Sequence, residues 1–153
     1  MVKWRNYKFK RHYKMEKNKT EKRLIHTINY PIRWGDMDAY GHVNNTVYFL
    51  YAQEARFSVL KDNNILILPE GQSPVLGETS CRFIRPIVFP ETLLINTYIK
   101  DIIGKKVFFE HELRSSENID VLYATLTATV IWFDFDTRTS CDVPQHVIDV
   151  FTK

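Results

Sequence analysis

Residues 46–62, TVYFLYAQEARFSVLKD, form the stretch that most restricts how this chain can fold. Tyr48, Tyr51, Ala52, Ala55 and Val59 recur at helical spacing and so share one stripe. Phe49, Leu50, Phe57 and Leu60 carry the apolar surface well past that stripe. Only a narrow polar strip around Gln53, Arg56 and Lys61 is left for solvent. A helix that apolar must be wrapped on most sides, and the remaining sequence has to supply the wrapper.

It supplies strands. LIHTINYPIR, residues 24–33, alternates at Ile28, Tyr30 and Ile32, and Pro31 points to a sheet edge. Beyond the turn signal Pro69-Glu70-Gly71, strand-like runs occupy residues 75–89 (interrupted by Pro86), 92–102, 106–115 and 121–136. The last is long and rich in β-branched and aromatic residues, which predicts a bulge or strong curvature. A short strand ending at Pro144 and a short helix from Gln145 complete the chain. One long helix and a run of antiparallel strands make an α+β domain, a curved sheet around a central helix.

At 153 residues, with 44% apolar and 14% aromatic content, the chain suits one folded domain. No run is long and apolar enough to span a membrane, and no secretory signal is expected, because residues 1–14 have no apolar segment behind their charges. The net charge of +3 is uneven. Residues 1–14 hold six Lys or Arg and no acid, leaving 15 basic against 18 acidic residues in the body. We read residues 1–23 as a basic, flexible extension without a role of its own, and residues 24–153 as the domain; Met15 is a second plausible start. The mildly acidic body gives no reason to expect nucleic acid as a partner. Cys81 and Cys141, far apart and outside any CxxC pair, suit two structural thiols in a reducing cytoplasm. The five histidines lack metal-ligand spacing, so neither metal nor bound cofactor is expected.

Between the first strand and the helix lies RWGDMDAYGHVNN, residues 33–45, richer in polar groups than a connection requires. Gly35 and Gly41 imply a turn. One of Asp36 and Asp38 is then expected to accept backbone N–H bonds locally, leaving the other for different work. Asn44, Asn45 or Thr46 can cap the helix. A carboxylate beside a helix N-terminus suits attack on an acyl carbonyl. The acid attacks directly or activates water, and N–H groups at the helix start hold the oxyanion. From the residues alone, a well-made loop with a helix cap remains the competing explanation.

IRWGDMDAYGHVNNTVYFLYAQEAR (32–56) closely resembles the active-site segment of hotdog-fold acyl-CoA thioesterases, the 4-hydroxybenzoyl-CoA thioesterase-like family. The matching positions are Arg33, Asp36, Asp38, Gly41, His42, Val43, Asn44, Asn45, Tyr48, Tyr51, Glu54, Ala55 and Arg56. The likeness continues through CRFIRPIVFPETLLI and TATVIWFDFDTRTSCDVP, over roughly residues 24–150. It implies a hotdog fold assembled as a homodimer or homotetramer, with active sites at the dimer interface. It also implies Asp38 as the catalytic carboxylate and the backbone N–H of Asn45 as oxyanion donor. Some relatives carry a catalytic His where this chain has Asn45, whose side chain can orient water or the carboxylate but cannot take a proton.

His42 reads as a loop-packing residue in that motif, and Glu54 as an alternative carboxylate. Gly41, His42 and Tyr48 are expected around the substrate. Arg82, Arg85, Lys105 and Lys106 are candidates for the phosphates of coenzyme A. The expected activity is hydrolysis of acyl-CoA to a carboxylic acid and free CoA. The rival readings are an acyl-acyl carrier protein thioesterase and a non-catalytic acyl-CoA-binding module; a dehydratase would need a His–acid site that the motif does not provide well.

Overall fold

A computed structural model describes residues 21–65 and 70–152. The first strand, β1 (Arg23–Pro31), leads through a single 3-10 turn at Trp34–Asp36 to the helix α1 (Val47–Asp62). Four long strands follow: β2 (Gln72–Phe83), β3 (Thr92–Ile103), β4 (Lys106–Ser115) and β5 (Leu122–Asp134). A two-residue β6 (Thr139–Ser140) and α2 (Gln145–Thr152) close the chain. The sheet runs β1-β3-β4-β5-β2, antiparallel throughout, with β6 against the end of β5. This is the expected hotdog arrangement.

Strand alternation decides which side chains meet the helix. Leu93, Ile95, Thr97 and Ile99 of β3 are buried in turn, as are Ala124, Leu126, Ala128, Val130 and Trp132 of β5. From α1, Tyr51, Ala52, Ala55 and Val59 are wholly buried against them. The core is two apolar clusters rather than one. Tyr48, Tyr51, Ile87, Leu93 and Leu113 anchor the first; Val59, Phe109, Trp132, Val147 and Phe151 anchor the second.

A polar layer separates the two clusters. Thr97 and His111 face each other across β3 and β4, and Arg56 reaches down from α1 to His111. Arg56 is only 8% exposed. That corrects the expectation that it belongs to a solvent-facing strip. It stands four residues after Ala52 and three before Val59, so helical geometry places it on the buried stripe whatever its charge.

Other differences have local causes. β1 begins at Arg23, and Lys22 already pairs with Glu110 and Glu112, so the domain starts slightly before residue 24. The rest of the expected extension, residues 1–20, lies outside the described residues. The expected strand 75–89 divides. β2 starts at Gln72 and stops at Phe83, where Ile84 and Arg85 both donate backbone N–H bonds to the Tyr123 carbonyl. Pro86 then continues an irregular run to β3, including a cis Phe89–Pro90 bond. The bulge predicted along β5 occurs at Tyr123, which has no β4 partner between Ala124, opposite Leu113, and Leu122, opposite Arg114; a second shift lies in β2, where Gly77 is passed over between Leu76 and Glu78.

Candidate active site

The loop from Arg33 to Thr46 is built around a buried carboxylate. Asp36, 4% exposed, accepts hydrogen bonds from the Arg33 backbone N–H (2.9 Å), the Arg33 guanidinium (3.0 and 3.2 Å) and the Tyr51 hydroxyl (2.8 Å). Burial alone would raise its pKa, but these donors outweigh burial and hold it below the usual carboxylate value. Its backbone carbonyl accepts the Asn44 N–H, which ties the far arm of the loop to the same point. Asp36 is therefore the mount.

Between these anchors the chain makes a tight reversal. Met37 bridges Val43, Asp38 N–H donates to the His42 carbonyl at 3.0 Å, and Gly41 N–H donates to the Asp38 carbonyl at 3.0 Å. Gly41 has φ +79°, a conformation that side-chain-bearing residues disfavour. The turn presents the Asp38 side chain outward, half-buried. Its Oδ1 accepts the Tyr40 N–H at 2.8 Å and its Oδ2 accepts Asn44 Nδ2 at 3.3 Å. Each oxygen is oriented by one donor and retains lone-pair capacity.

Asn44 also takes the helix-start role that the sequence offered it; its bond to Asp38 is the task the sequence did not reveal. Its Oδ1 accepts both the Thr46 N–H (3.0 Å) and the Thr46 hydroxyl (2.7 Å) just before α1. The helix start is thus secured by Asn44, while Thr46 at the N-cap makes no capping bond with its own side chain. One amide orients the Asp38 carboxylate and fixes the first turn beside it. The orienting role considered for the Asn45 side chain falls to its neighbour. Asn45 itself is exposed, and among the described residues no acceptor meets its backbone N–H.

Asp38, Asn45, His42, Tyr48 and Arg85 line one cavity of about 420 Å³, with Phe83 on its apolar side. Tyr48 is buried edge-on to Phe83, accepts the Ile87 N–H at its hydroxyl, and has its pKa raised by burial. His42 stacks on Tyr40 and places Nδ1 3.3 Å from the Val43 carbonyl; it makes no side-chain contact with Asp38. Gly41 shapes the turn at the rim. Arg82 does not join them, because alternation along β2 puts it on the sheet face opposite Phe83. Lys105 and Lys106 lie at the β3–β4 hairpin, the opposite end of β3 and roughly 35 Å of strand away. Lys105 instead holds the Ser140 carbonyl and hydroxyl. Glu54 is half-buried on α1 and does not line this cavity.

Another cluster imitates a catalytic triad without its geometry. His26 Nε2 lies 2.9 Å from Ser58 Oγ and 3.4 Å from Asp62 Oδ2. Hydroxyl and carboxylate share one ring nitrogen, whereas a relay needs them on opposite nitrogens. Among the described residues no three His, Cys, Asp or Glu side chains converge to hold a metal, and no helix is long and apolar enough to cross a membrane. Cys81 and Cys141 are free.

The family profile of the thioesterase-like superfamily matches residues 32–151. The chain belongs to that superfamily. Among solved structures it is similar to PA2801, a candidate thioesterase of Pseudomonas aeruginosa. The TM-score is 0.79 at 31% identity, over 83% of this chain and 98% of that one. The 1,4-dihydroxy-2-naphthoyl-CoA thioesterase Slr0204 of Synechocystis shares the fold, with a TM-score of 0.76 at 18% identity over 83% of this chain and 95% of that one. Among curated proteins, the chloroplastic acyl-acyl carrier protein thioesterase ATL2 of Arabidopsis thaliana is 26% identical over 130 residues, 83% of this chain and 68% of ATL2. ATL3 of the same plant is 21% identical over 113 residues, and the match spans 72% of this chain and 59% of ATL3.

Proposed function

We propose that this protein hydrolyses acyl-CoA thioesters, with Asp38 as nucleophile or general base and the Asn45 N–H holding the oxyanion. The observation that carries the reading is the two-donor grip of Tyr40 and Asn44 on Asp38, beside the helix start and inside a cavity. In the first role, an Asp38 oxygen attacks the thioester carbonyl, the C–S bond breaks, and CoA leaves as thiolate to be protonated. Water then cleaves the mixed anhydride. In the second, Asp38 takes a proton from water as that water attacks, and the same C–S bond breaks on collapse. In both, charge develops on the carbonyl oxygen where an unused N–H is available. One such donor contributes about 2.7–4 kcal/mol to the transition state. Arg85, exposed at the rim, offers a planar guanidinium to the phosphates of CoA.

The partner reading is a second copy of the same chain. β2 is an edge strand whose outer side is unpaired in the single chain, and it exposes Val75 (40%), Leu76 (47%) and Phe83 (49%). An open apolar edge favours strand pairing. Antiparallel pairing of two copies there would bring the start of one β2 beside the end of the other, next to the Asp38 cavity.

ATL2 and ATL3 favour one alternative, the same chemistry on acyl carrier protein. Free-thiol release from a panel of acyl-CoA esters and matched acyl-carrier-protein thioesters tests the proposal. Turnover of CoA esters at or above the carrier rate is expected; turnover of the carrier substrate alone would transfer the activity to the alternative. Binding of both without release of thiol would leave a non-catalytic module.

A further inference from the structure

A second cavity, of about 270 Å³, opens between α1 and the first half of β2. Its walls are largely apolar and include Phe57, Leu60, Val75, Leu76 and Trp132. Two polar groups break this lining, Gln53 and Arg56, three residues apart on one face of α1. Arg56 is more than nine-tenths buried, yet no carboxylate pairs with it among the described residues. Its only hydrogen-bond partner there is His111 Nε2, at 3.3 Å.

The chemistry of that contact fixes the charge balance. Arginine only donates, so Nε2 of His111 must accept, and its Nδ1–H must then donate to Thr97 Oγ1 at 3.1 Å. His111 is therefore neutral, and it brings no negative charge to the guanidinium. Burial, helped by Arg56, pushes the His111 pKa down to about 3, and burial lowers that of Arg56 to about 10. Every fully buried side-chain N or O atom in the described residues has a partner. The guanidinium N–H groups that His111 does not take are accordingly not fully enclosed, and Arg56 lines this cavity. A buried, hydrogen-bonded cation without an anion is costly, and one facing an apolar cavity is provided for by whatever fills it.

We propose that this cavity binds a carboxylate carried on a short apolar body, with Arg56 supplying the counter-charge and Gln53 a further donor. At about 30 Å³ per water-sized volume, the space suits a ligand of roughly eight to ten non-hydrogen atoms. Such a group has two sources: a free carboxylic acid, the class that thioester hydrolysis releases, or a carboxylate at the far end of an acyl chain still joined to CoA.

Hexanoate and hexanamide, near-isosteric and neither a thioester, test the site by calorimetry on the full chain, independently of Asp38 chemistry. Hexanoate is expected to bind at least tenfold more tightly. Arg56→Met should erase that preference, Arg56→Lys reduce it, and Arg85→Gln, in the other cavity, leave it intact. Equal affinity of wild type for acid and amide would overturn the proposal even if the Arg56 variants fail to fold; it would mean that protein, such as a second copy of the chain, supplies the anion. A preference that survives in folded Arg56→Met would overturn it equally. Adipoyl-CoA against hexanoyl-CoA then separates the sources. A preference for adipoyl-CoA that Arg56→Met removes and Arg56→Lys reduces identifies the acyl terminus, and equal turnover together with hexanoate binding identifies the free acid.

Discussion

Replacing Tyr51 by phenylalanine deletes one oxygen from the support beneath the candidate site. The Tyr51 hydroxyl is wholly buried and donates to Asp36 Oδ2 at 2.8 Å. A hydrogen bond to a charged group contributes about 1.5–3 kcal/mol. Asp36 keeps its Arg33 N–H and guanidinium partners in the variant, so the loss stays within that range instead of reaching the cost of an orphaned buried charge. In a chain of this size it corresponds to a Tm lower by roughly 4–10 °C. The effect also has a pH signature. Because the folded state holds the Asp36 carboxyl below its usual value, its contribution is complete above the unfolded pKa near 4. It is lost as pH falls through the folded value. The wild-type advantage over Tyr51→Phe should therefore be full at pH 7 and shrink by pH 3. Urea unfolding at both pH values measures it. A difference below about 0.5 kcal/mol at pH 7 would refute the idea that Asp36 is the loop's mount.

Other consequences can be measured separately. Leu76→Lys places a charge on the open edge of β2 and should convert a dimer to monomers in sedimentation, with a loss of turnover if the site needs both copies. His111 titrates near 6.5 when unfolded but is held at about 3 by burial, so between those values the unfolded chain binds the extra proton and stability falls as pH drops. His111→Asn should flatten that slope by about 1.4 kcal/mol per pH unit between pH 6 and 4, as read from denaturant melts.

Periodicity carried most of the fold. The stripe from Tyr48 to Val59 located α1 because four of its five residues need complete burial, and strand-like runs between turn signals located β3 and β4 nearly to the residue. Periodicity failed where another interaction took over the backbone. The bond of both Ile84 and Arg85 to one carbonyl ended β2, which no local preference announces. Arg56 was misplaced because residue type was allowed to outweigh helical phase; its spacing from Ala52 and Val59 already marked it as inward. Within the loop, the paired acids and glycines showed that one carboxylate would be structural and the other available; that the available one is Asp38 came from the family resemblance. The Asn44 bond to Asp38 was not legible, because a helix-start asparagine reads as a cap, and that bond exists only after the turn has folded back on itself.

Asp38→Asn tests the central claim most directly. The introduced amide can keep the Tyr40 N–H as donor to its oxygen but would face Asn44 Nδ2 with a second NH₂ group, a loss of about 0.5–1.5 kcal/mol in stability. The account predicts a variant that is folded at 25 °C and slower on its best thioester by at least roughly a thousandfold in kcat, about 4 kcal/mol of barrier. Turnover within tenfold of wild type, in protein shown to be folded, would contradict it.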